Sequence, residues 1–450
     1  MKRWRAALVV SMLAFAFGLA AGCKDDPQGS GHAPSDRQAE SAAPAAGDSA
    51  DTAGDTAKNA AKDAAKNAEK NPVPAAPDPA PSALPSAAPD PKLPKRDPGA
   101  APLDAFEQAK RLGRGVNLGN ALEAPVEGAW GVTLQESYFK TIREAGFETV
   151  RVPIKWSAHA DAKAPYAIDA AFAARIDWVV GQALEQELNV VLNVHHYDEL
   201  YVDPAEQEAR FLAIWKQISA RYKELPGKVY LELLNEPHGS LTWSKWNRLL
   251  KKTLDAIRSE DPWHTVIVGS VNYSNYADLP SLDIPDDERN AIATFHYYDP
   301  FPFTHQGAEW SGPEIGTVGV EWPGPPARQT DPVPEAKQVK WVDEWFRDYN
   351  ANPAETNPAG PNAIVSAFDK VDAWAKEHRR PVWLGEFGAY SKADMPSRAR
   401  WTAFVRGEAE KRGFGWAYWE FSAGFGVYDP AVNQYRQELL DALIPPAKAR

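Results

Sequence analysis

The chain has 450 residues, of which 44% are hydrophobic and 11% aromatic, so it is long enough to bury a large core. Its formal net charge is -12 at pH 7. That acidic balance argues against a nucleic-acid-binding surface and fits a protein that binds a neutral ligand. A single cysteine, Cys23, excludes an intramolecular disulfide.

The first residues have the pattern of an export signal. Residues 1–22 combine a basic start, an apolar stretch and small residues, which is typical of a signal peptide. Ala-Ala-Gly-Cys at 20–23 resembles a bacterial lipobox, in which the cysteine becomes lipidated. By resemblance to lipoproteins of Gram-negative bacteria, Lys24 favours the outer membrane. We expect a secreted protein, anchored to a bacterial membrane through Cys23; secretion with a free cysteine is the alternative.

Residues 23–101 differ in composition from the rest of the chain. They are rich in Ala, Pro, Asp, Ser and Lys and have almost no aromatic residues. Such a segment cannot bury enough surface to offset its chain entropy, so we predict a disordered tether. Its proline-rich part, residues 72–94, should be extended. The remainder, residues 102–450, is predicted to form one folded domain.

Within that domain, short apolar runs alternate with amphipathic helical stretches. The predicted strands are residues 113–119, 148–154, 189–196, 228–236, 264–270, 290–298, 381–387 and 414–421. Eight strands alternating with helices predict an α/β protein of the (β/α)8 TIM-barrel class. A doubly wound open sheet is the alternative, but GVNLGN at 115–120 lacks the glycine-rich phosphate-binding pattern that usually follows its first strand.

Polar side chains collect near the ends of the predicted strands, which is where barrel enzymes place their active sites. Their occurrence on most strands favours a functional site, and structural capping is the alternative. The residues are Arg151 in the second strand, His195 and His196 in the third, Asn235 and Glu236 in the fourth, His296 and Tyr298 in the sixth, Glu386 in the seventh, and Trp419 and Glu420 in the eighth.

Glu236 and Glu386 have the residue type that glycosidic bond cleavage requires. That reaction needs one carboxylic acid to protonate the leaving oxygen and one carboxylate to attack the anomeric carbon or activate water. The fourth and seventh strands face each other across a barrel mouth, so both carboxyl groups can reach one bond. A separation of about 5–5.5 Å would indicate retention of configuration.

The histidines raise the alternative of a metal-dependent hydrolase. His195 and His196 are adjacent, so on an ideal strand they point to opposite faces and cannot chelate one ion. The spacings His-X-His and His-Glu-X-X-His are absent, although His296 could complete a site with one of the pair. We therefore expect no catalytic metal. Arg151 is expected to lower the pKa of a nearby carboxylate, with a purely structural ion pair as the alternative.

Seven segments together carry a family resemblance: RGVNLGNALEAP, GFETVRVPIKWS, VVLNVHHYDEL, LELLNEPHG, TFHYYDPFPFTHQGAEW, WLGEFGAY and AYWEFSAGFGVYD. They resemble glycoside hydrolase family 5, the cellulase family, over about residues 105–445. They look closest to a bacterial branch that contains endo-β-1,4-glucanases, some of which also cut β-mannan. The resemblance implies a retaining endo-β-1,4-glycanase that hydrolyses cellulose-type β-glucan by double displacement, needs no cofactor and acts as a monomer.

The resemblance also implies a role for each site residue. Glu236 matches the general acid/base and Glu386 the nucleophile, while Asn235 matches the residue that bonds the sugar 2-hydroxyl. The remaining matches are Arg151 and Tyr298 beside the nucleophile, His296 beside the acid/base, Asn120, Glu123, His195, His196 and Trp419 around the sugar on the non-reducing side, and Trp310 in a loop that lines the cleft.

Two neighbouring stretches, which together form a proline-rich insertion, depart from the family pattern. Residues 316–338, which follow Trp310, and residues 350–362 are longer and richer in proline than this branch leads us to expect. The insertion follows the sixth strand, so it could extend, narrow or cover the cleft, or it could be a solvated surface loop. Alternatives to a glucanase are therefore a mannanase or xyloglucanase and, from another class, a non-catalytic glycan-binding surface lipoprotein.

Overall fold

The computed structural model describes residues 93–446, and its central feature is a closed barrel of eight parallel strands. The strands follow one another in chain order, and the first pairs with both the second and the eighth. This confirms the predicted (β/α)8 barrel. The strands are β1 (Arg114–Asn117), β2 (Thr149–Val152), β3 (Asn189–Asn193), β4 (Val229–Glu232), β5 (Val266–Gly269), β6 (Ala291–Tyr297), β7 (Val382–Phe387) and β8 (Gly415–Tyr418).

Helices connect most successive strands, while the connection from β5 to β6 has only a short turn at Val271–Ser274 and a 3-10 helix at Tyr276–Ser281. Aspartates begin several of the helices. Asp104, Asp169, Asp203 and Asp394 each accept a hydrogen bond from a backbone N–H of the first helical turn, which satisfies a donor that has no partner within the helix. The α-helices of five or more residues are α1 (Ala105–Leu112), α2 (Glu136–Glu144), α3 (Ala170–Glu185), α4 (Asp198–Val202), α5 (Pro204–Tyr222), α6 (Trp243–Arg258), α7 (Lys340–Ala351), α8 (Pro361–His378), α9 (Met395–Lys411) and α10 (Gln437–Leu443).

The barrel interior is apolar at its base and polar at its top. Helix α1 closes the base, and its Ala105, Ala109 and Leu112 form a buried cluster with side chains of the strands. Alternate residues of a strand share one face. Tyr230 belongs to this cluster, so Glu232, two positions later in β4, also lies on the inner face, one layer closer to the top of the barrel. The strand members of the cluster are Val191, Tyr230, Ile267, Ile292, Trp383 and Ala417.

Several strands are shorter than predicted at their carboxyl ends. Strand β3 ends at Asn193, β4 at Glu232 and β8 at Tyr418, so the site residues that follow them lie in loops. The loop residues Val194 and Leu233 are completely buried. Burial gives these loops the apolar composition of strands, and composition therefore could not mark where hydrogen-bonded pairing stops.

Residues 93–101, which the sequence assigns to the tether, contact the base of the barrel. Arg96 donates from its backbone N–H to the carbonyl oxygen of Glu224 (2.7 Å), and its guanidinium lies 4.9 Å from the ring centroid of Trp263. Trp263 donates in turn to the carbonyl oxygen of Ala101 (3.2 Å). The predicted signal peptide, Cys23 and the tether up to residue 92 lie outside the described residues. Between residues 93 and 446, no helix is long and apolar enough to cross a bilayer.

The proline-rich insertion is attached to the flank of the barrel by Trp322. The backbone N–H of Trp322 donates to Ser397 Oγ (3.1 Å), and its carbonyl oxygen accepts from Arg400 (2.8 Å). Its ring contacts that of Phe404, with centroids 5.6 Å apart. All three partners belong to helix α9, so the middle of the insertion packs against an outer helix.

Candidate active site

Arg151 occupies the top of the barrel interior and is completely buried. Its guanidinium donates to Glu232 Oε2 and Oε1 (2.6 and 2.7 Å), Glu386 Oε1 (2.6 Å), Asn117 Oδ1 (2.9 Å) and Asn235 Oδ1 (2.7 Å). These bonds use all five N–H groups that an arginine side chain carries. A buried charge is tolerated only when it is paired and fully hydrogen-bonded, and Arg151 meets both conditions.

Glu386 lies near the end of β7 and has a donor on each oxygen. Oε1 accepts from Arg151, and Oε2 accepts from the hydroxyl of Tyr298 (2.8 Å). Burial raises the pKa of this carboxyl, while His296, Arg151 and the Tyr298 hydroxyl favour its charged form. Arg151 therefore acts in the predicted direction, but burial outweighs it and the pKa of Glu386 is raised rather than lowered.

An irregularity in the sheet places Glu386 beside the sixth strand. The register of β6 and β7 shifts after Phe295, so His296 becomes the partner of Glu386. Gly385 fits at this point because it has no side chain: a Cβ there would lie 2.7 Å from Thr294 Oγ1 and 3.1 Å from His296 Nε2. Such shifts re-aim side chains, and here two functional groups are brought together.

Glu236 lies in the loop after β4 with a left-handed backbone (φ 48°). Its Oε1 lies 2.8 Å from Nδ1 of His296. Burial lowers the pKa of His296 to about 4, so its ring is neutral near neutral pH and donates from Nδ1 whenever the Glu236 carboxyl is charged. Burial raises the pKa of Glu236 to about 7. Because 23% of the Glu236 side chain remains exposed, the carboxyl is also accessible from the cleft.

Glu236, Glu386 and His296 form a compact group. One carboxylate oxygen of each glutamate and one ring nitrogen of His296 all lie within 4.8 Å of one another. Among residues 93–446, no other group of histidines, cysteines and carboxylates is close enough to hold a metal ion. Each glutamate already has its own hydrogen-bonding partner, so the hydrogen bonds account for the arrangement without an ion.

Three site residues share a left-handed backbone that residues other than glycine rarely adopt. They are Asn120 (φ 64°), His196 (φ 49°) and Glu236 (φ 48°). Each such residue costs about 1–3 kcal/mol and persists only where the surrounding structure holds it. The packing of this end of the barrel therefore stabilises a strained set of loops.

The two adjacent histidines do not point to opposite faces, so that sequence argument was wrong. Strand β3 ends before them and His196 is left-handed, which leaves their ring centroids only 4.5 Å apart and nearly perpendicular. His195 lies nearly parallel to Trp419 at 5.9 Å and is hydrogen-bonded to Asn193 (3.0 Å). Burial lowers the pKa of both histidines, so neutral rings face this side of the cleft.

Asn120 joins two buried carboxyl groups. Its backbone N–H donates to Glu123 and its side-chain amide donates to Glu420. The other oxygen of Glu123 accepts from the backbone N–H of Ala121 (3.0 Å), and Glu420 also accepts from that of Phe425 (3.0 Å). Burial raises the pKa of Glu123 to about 8 and that of Glu420 to about 7. Glu123 thus has a clear structural task within its own loop, and its predicted contact with sugar stays a prediction.

Trp310 lies at the rim of the site, with 43% of its surface exposed. Its ring contacts Tyr390 (4.9 Å between centroids) and Phe425 (6.3 Å). Phe425 contacts His305 (5.4 Å), which contacts Tyr298 (5.0 Å). A continuous row of rings therefore connects the exposed tryptophan with the tyrosine that bonds Glu386.

The structure brings the predicted residues to one end of the barrel and adds others that sequence reasoning did not assign. A carboxylate inside an apolar strand was a usable signal for Glu232, since it lies two positions after Tyr230. The aromatic and histidine contacts gave no local signal, because they depend on which loops meet. The added residues are Asn117, Glu232, His305, Tyr390 and Phe425.

Comparisons with known proteins identify related sequences. A family model described as Cellulase (glycosyl hydrolase family 5) matches residues 113–424. Endoglucanase H of Acetivibrio thermocellus is 32% identical over 358 residues, which cover 78% of this chain and 35% of that protein. Endoglucanase 3 of Fibrobacter succinogenes is 26% identical over 340 residues, covering 71% of this chain and 51% of that protein. The chain thus spans about a third to a half of the length of these curated relatives.

Solved structures give the same family relationship at higher identity. Cel5A of Thermotoga maritima in complex with cellobiose is 45% identical, with a TM-score of 0.67; the match covers 76% of this chain and all of that one. The same protein in complex with mannotriose substrate matches with a TM-score of 0.66, at the same identity and coverage.

The environment of Glu236 generates a direct prediction. Its carboxyl should titrate near pH 7 in the free protein, because burial disfavours the charged form. Carbon-13 NMR of protein labelled at the glutamate carboxyls measures the midpoint, and Glu236→Gln identifies the signal by removing it. A midpoint below about 5, the range of an ordinary exposed glutamate, would contradict the structure.

Proposed function

The chain belongs to glycoside hydrolase family 5, and we propose that it is a retaining endo-β-1,4-glucanase that hydrolyses cellulose-type β-glucan by double displacement. The pairing of Glu236 with Glu386 supports this most directly, since one carboxylate oxygen of each lies within 4.8 Å of the other. Retaining glycosidases have carboxyl groups about 5–5.5 Å apart, whereas inverting enzymes need about 6.5–9.5 Å to admit a water. The observed distance favours the retaining class.

In the first step, Glu386 attacks the anomeric carbon while Glu236 transfers its proton to the glycosidic oxygen. The carbon–oxygen bond breaks, the leaving chain departs with a new hydroxyl group, and the remaining sugar is esterified to Glu386. The raised pKa of Glu236 suits a proton donor near neutral pH. Arg151 and Tyr298 hold the two Glu386 oxygens in place for attack.

In the second step, Glu236 is a carboxylate and removes a proton from water. The water oxygen attacks the anomeric carbon, the ester bond breaks, and Glu386 leaves as a carboxylate. Two displacements restore the original configuration. Neutral His296, which donates to Glu236, helps the residue to carry the negative charge between the steps.

Asn235 has an orientation that suits substrate binding. Its Oδ1 accepts from Arg151 (2.7 Å), which leaves the amide Nδ2–H groups as donors. A donor there can bond the 2-hydroxyl of the sugar, and such a bond strengthens as the transition state develops. Arg151 thus orients both the nucleophile and this amide.

Replacing either glutamate should nearly abolish turnover. Glu236→Gln and Glu386→Gln should each lower kcat by about three or more orders of magnitude. The amide of Glu236→Gln cannot donate and accept the proton as a carboxyl group does, and the amide of Glu386→Gln cannot form the ester with the sugar. Initial rates on a soluble β-glucan provide the measurement. Glu107→Gln, at a surface position where the side chain is 66% exposed, is the control and should keep the wild-type rate. Near-wild-type turnover in either site variant would reject the mechanism.

β-Mannan is the second candidate substrate. Its support is the similarity to Thermotoga maritima Cel5A, which is 45% identical in sequence to this chain and whose structure has been solved in complex with mannotriose substrate. We expect cellulose-type and mixed-linkage glucan to be cut fastest and glucomannan to be cut at a lower rate. Product analysis on carboxymethyl-cellulose, mixed-linkage glucan, glucomannan and xyloglucan measures the order, and a strong preference for xyloglucan would overturn it.

We also propose that Cys23 carries a lipid that anchors the enzyme to a bacterial membrane, the outer membrane in particular. The lipobox-like sequence supports the anchor. Arg96, near the start of the described residues, contacts the base of the barrel, on the side away from the active site. Labelling in vivo with a fatty-acid analogue should tag the wild type and not Cys23→Ala, and equal labelling of both would defeat the proposal.

A further inference from the structure

Glu232 is the last residue of β4 and belongs to the polar layer above the apolar barrel interior. Only 1% of its surface is exposed, and both of its carboxylate oxygens bind Arg151. Arg151 lies between it and Glu386, so Glu232 contacts the reacting groups only through the guanidinium. A buried carboxylate so placed has no solvation of its own and depends on that ion pair.

The bidentate contact determines how Arg151 is turned. Glu232 binds the Nε–H and one N–H of the Nη2 group, which fixes the plane of the guanidinium. The second Nη2–H then points to Asn235 and the Nη1 group to Glu386. Without this contact, the guanidinium could rotate and would no longer donate to Asn235 and Glu386 at the same time.

We propose that Glu232 is a positioning residue of the active site, which orients Arg151 and divides its positive charge between two carboxylates. This inference rests on the proposed glycosidase function and extends it. A single guanidinium faces Glu232 at 2.6 Å and Glu386 at 2.6 Å, so neither carboxylate receives its full charge. Glu386 therefore stays ionised. It is also more basic, and hence more nucleophilic, than a carboxylate that pairs with an arginine by itself.

Neutralising Glu232 should shift the whole pH profile in one direction. In Glu232→Gln the positive charge of Arg151 acts undivided on Glu386, which lowers the pKa of the nucleophile. The loss of a negative charge also lowers the pKa of Glu236, which Glu232 otherwise raises. The nucleophile sets the acidic limit of activity and the proton donor sets the alkaline limit, so both limits should move to lower pH.

The test compares kcat/KM against pH on an aryl β-cellotrioside for the wild type, Glu232→Gln and Glu232→Asp. We expect Glu232→Gln to lose about 10–100-fold in rate and to shift both limits down by about one pH unit. Glu232→Asp keeps the charge but is one methylene shorter, so it should keep the pH limits while kcat falls. A rate loss in Glu232→Gln with unchanged limits, or a wild-type kcat in Glu232→Asp, would overturn the proposal.

Glu288→Gln is the matched control. Glu288 also forms a bidentate pair with an arginine, Arg258 (2.7 and 3.1 Å), but it precedes β6 at the base of the barrel. This variant should keep the wild-type rate and pH limits. Circular dichroism verifies that each variant folds. If Glu232→Gln does not fold, the kcat and pH limits of Glu232→Asp provide the test.

A second readout separates this inference from the proposed function. The midpoint of the Glu236 carboxyl, measured by carbon-13 NMR, should fall by about one pH unit in Glu232→Gln and stay in place in Glu288→Gln. The NMR shift does not need turnover, so an inactive wild type would reject the glycosidase and leave this result interpretable. An unchanged midpoint in Glu232→Gln would reject the division of charge.

Discussion

The site depends on one constraint: a fully buried guanidinium must find a partner for every N–H group. Arg151 meets it by binding residues from β1, β4 and β7 and from the loop after β4, across the top of the barrel. A buried ion without its partners costs several kcal/mol, so the loss of one of these contacts destabilises the others. The arginine therefore fixes the relative positions of strands that are far apart in sequence, and with them the two glutamates.

The same barrel end gives the two glutamates different surroundings. Glu386 lies on a strand, with an arginine and a tyrosine hydroxyl on its oxygens. Glu236 lies on a strained loop, partly open to the cleft, and receives one bond from a neutral histidine. Burial raises the pKa of both, but only Glu386 has a cation in direct contact. A proton donor and a nucleophile can thus coexist within 4.8 Å, and this asymmetry underlies the proposed double displacement.

Sequence reasoning reached the fold because the alternation of apolar strands and amphipathic helices is a local pattern. It placed residues such as Arg151 and Glu386 at one end because parallel strands bring their carboxyl ends together. It failed where the outcome depends on tertiary contacts. The geometry of His195 and His196 follows from the early end of β3, and the course of the insertion follows from the anchoring of Trp322 on α9. Glu232 was visible as an acid in an apolar strand, yet its role emerges only from the partner it shares with Glu386.

In a double displacement through Glu386, water attacks the anomeric carbon from the face that the leaving chain occupied. The stereochemistry of the first product tests this most directly. Proton NMR of a β-1,4-gluco-oligosaccharide during the first minutes of hydrolysis identifies the anomer before it mutarotates. A double displacement through Glu386 predicts that the β anomer forms first and the α anomer follows only by mutarotation. The α anomer as the initial product would contradict the account, since it would require a single displacement by water.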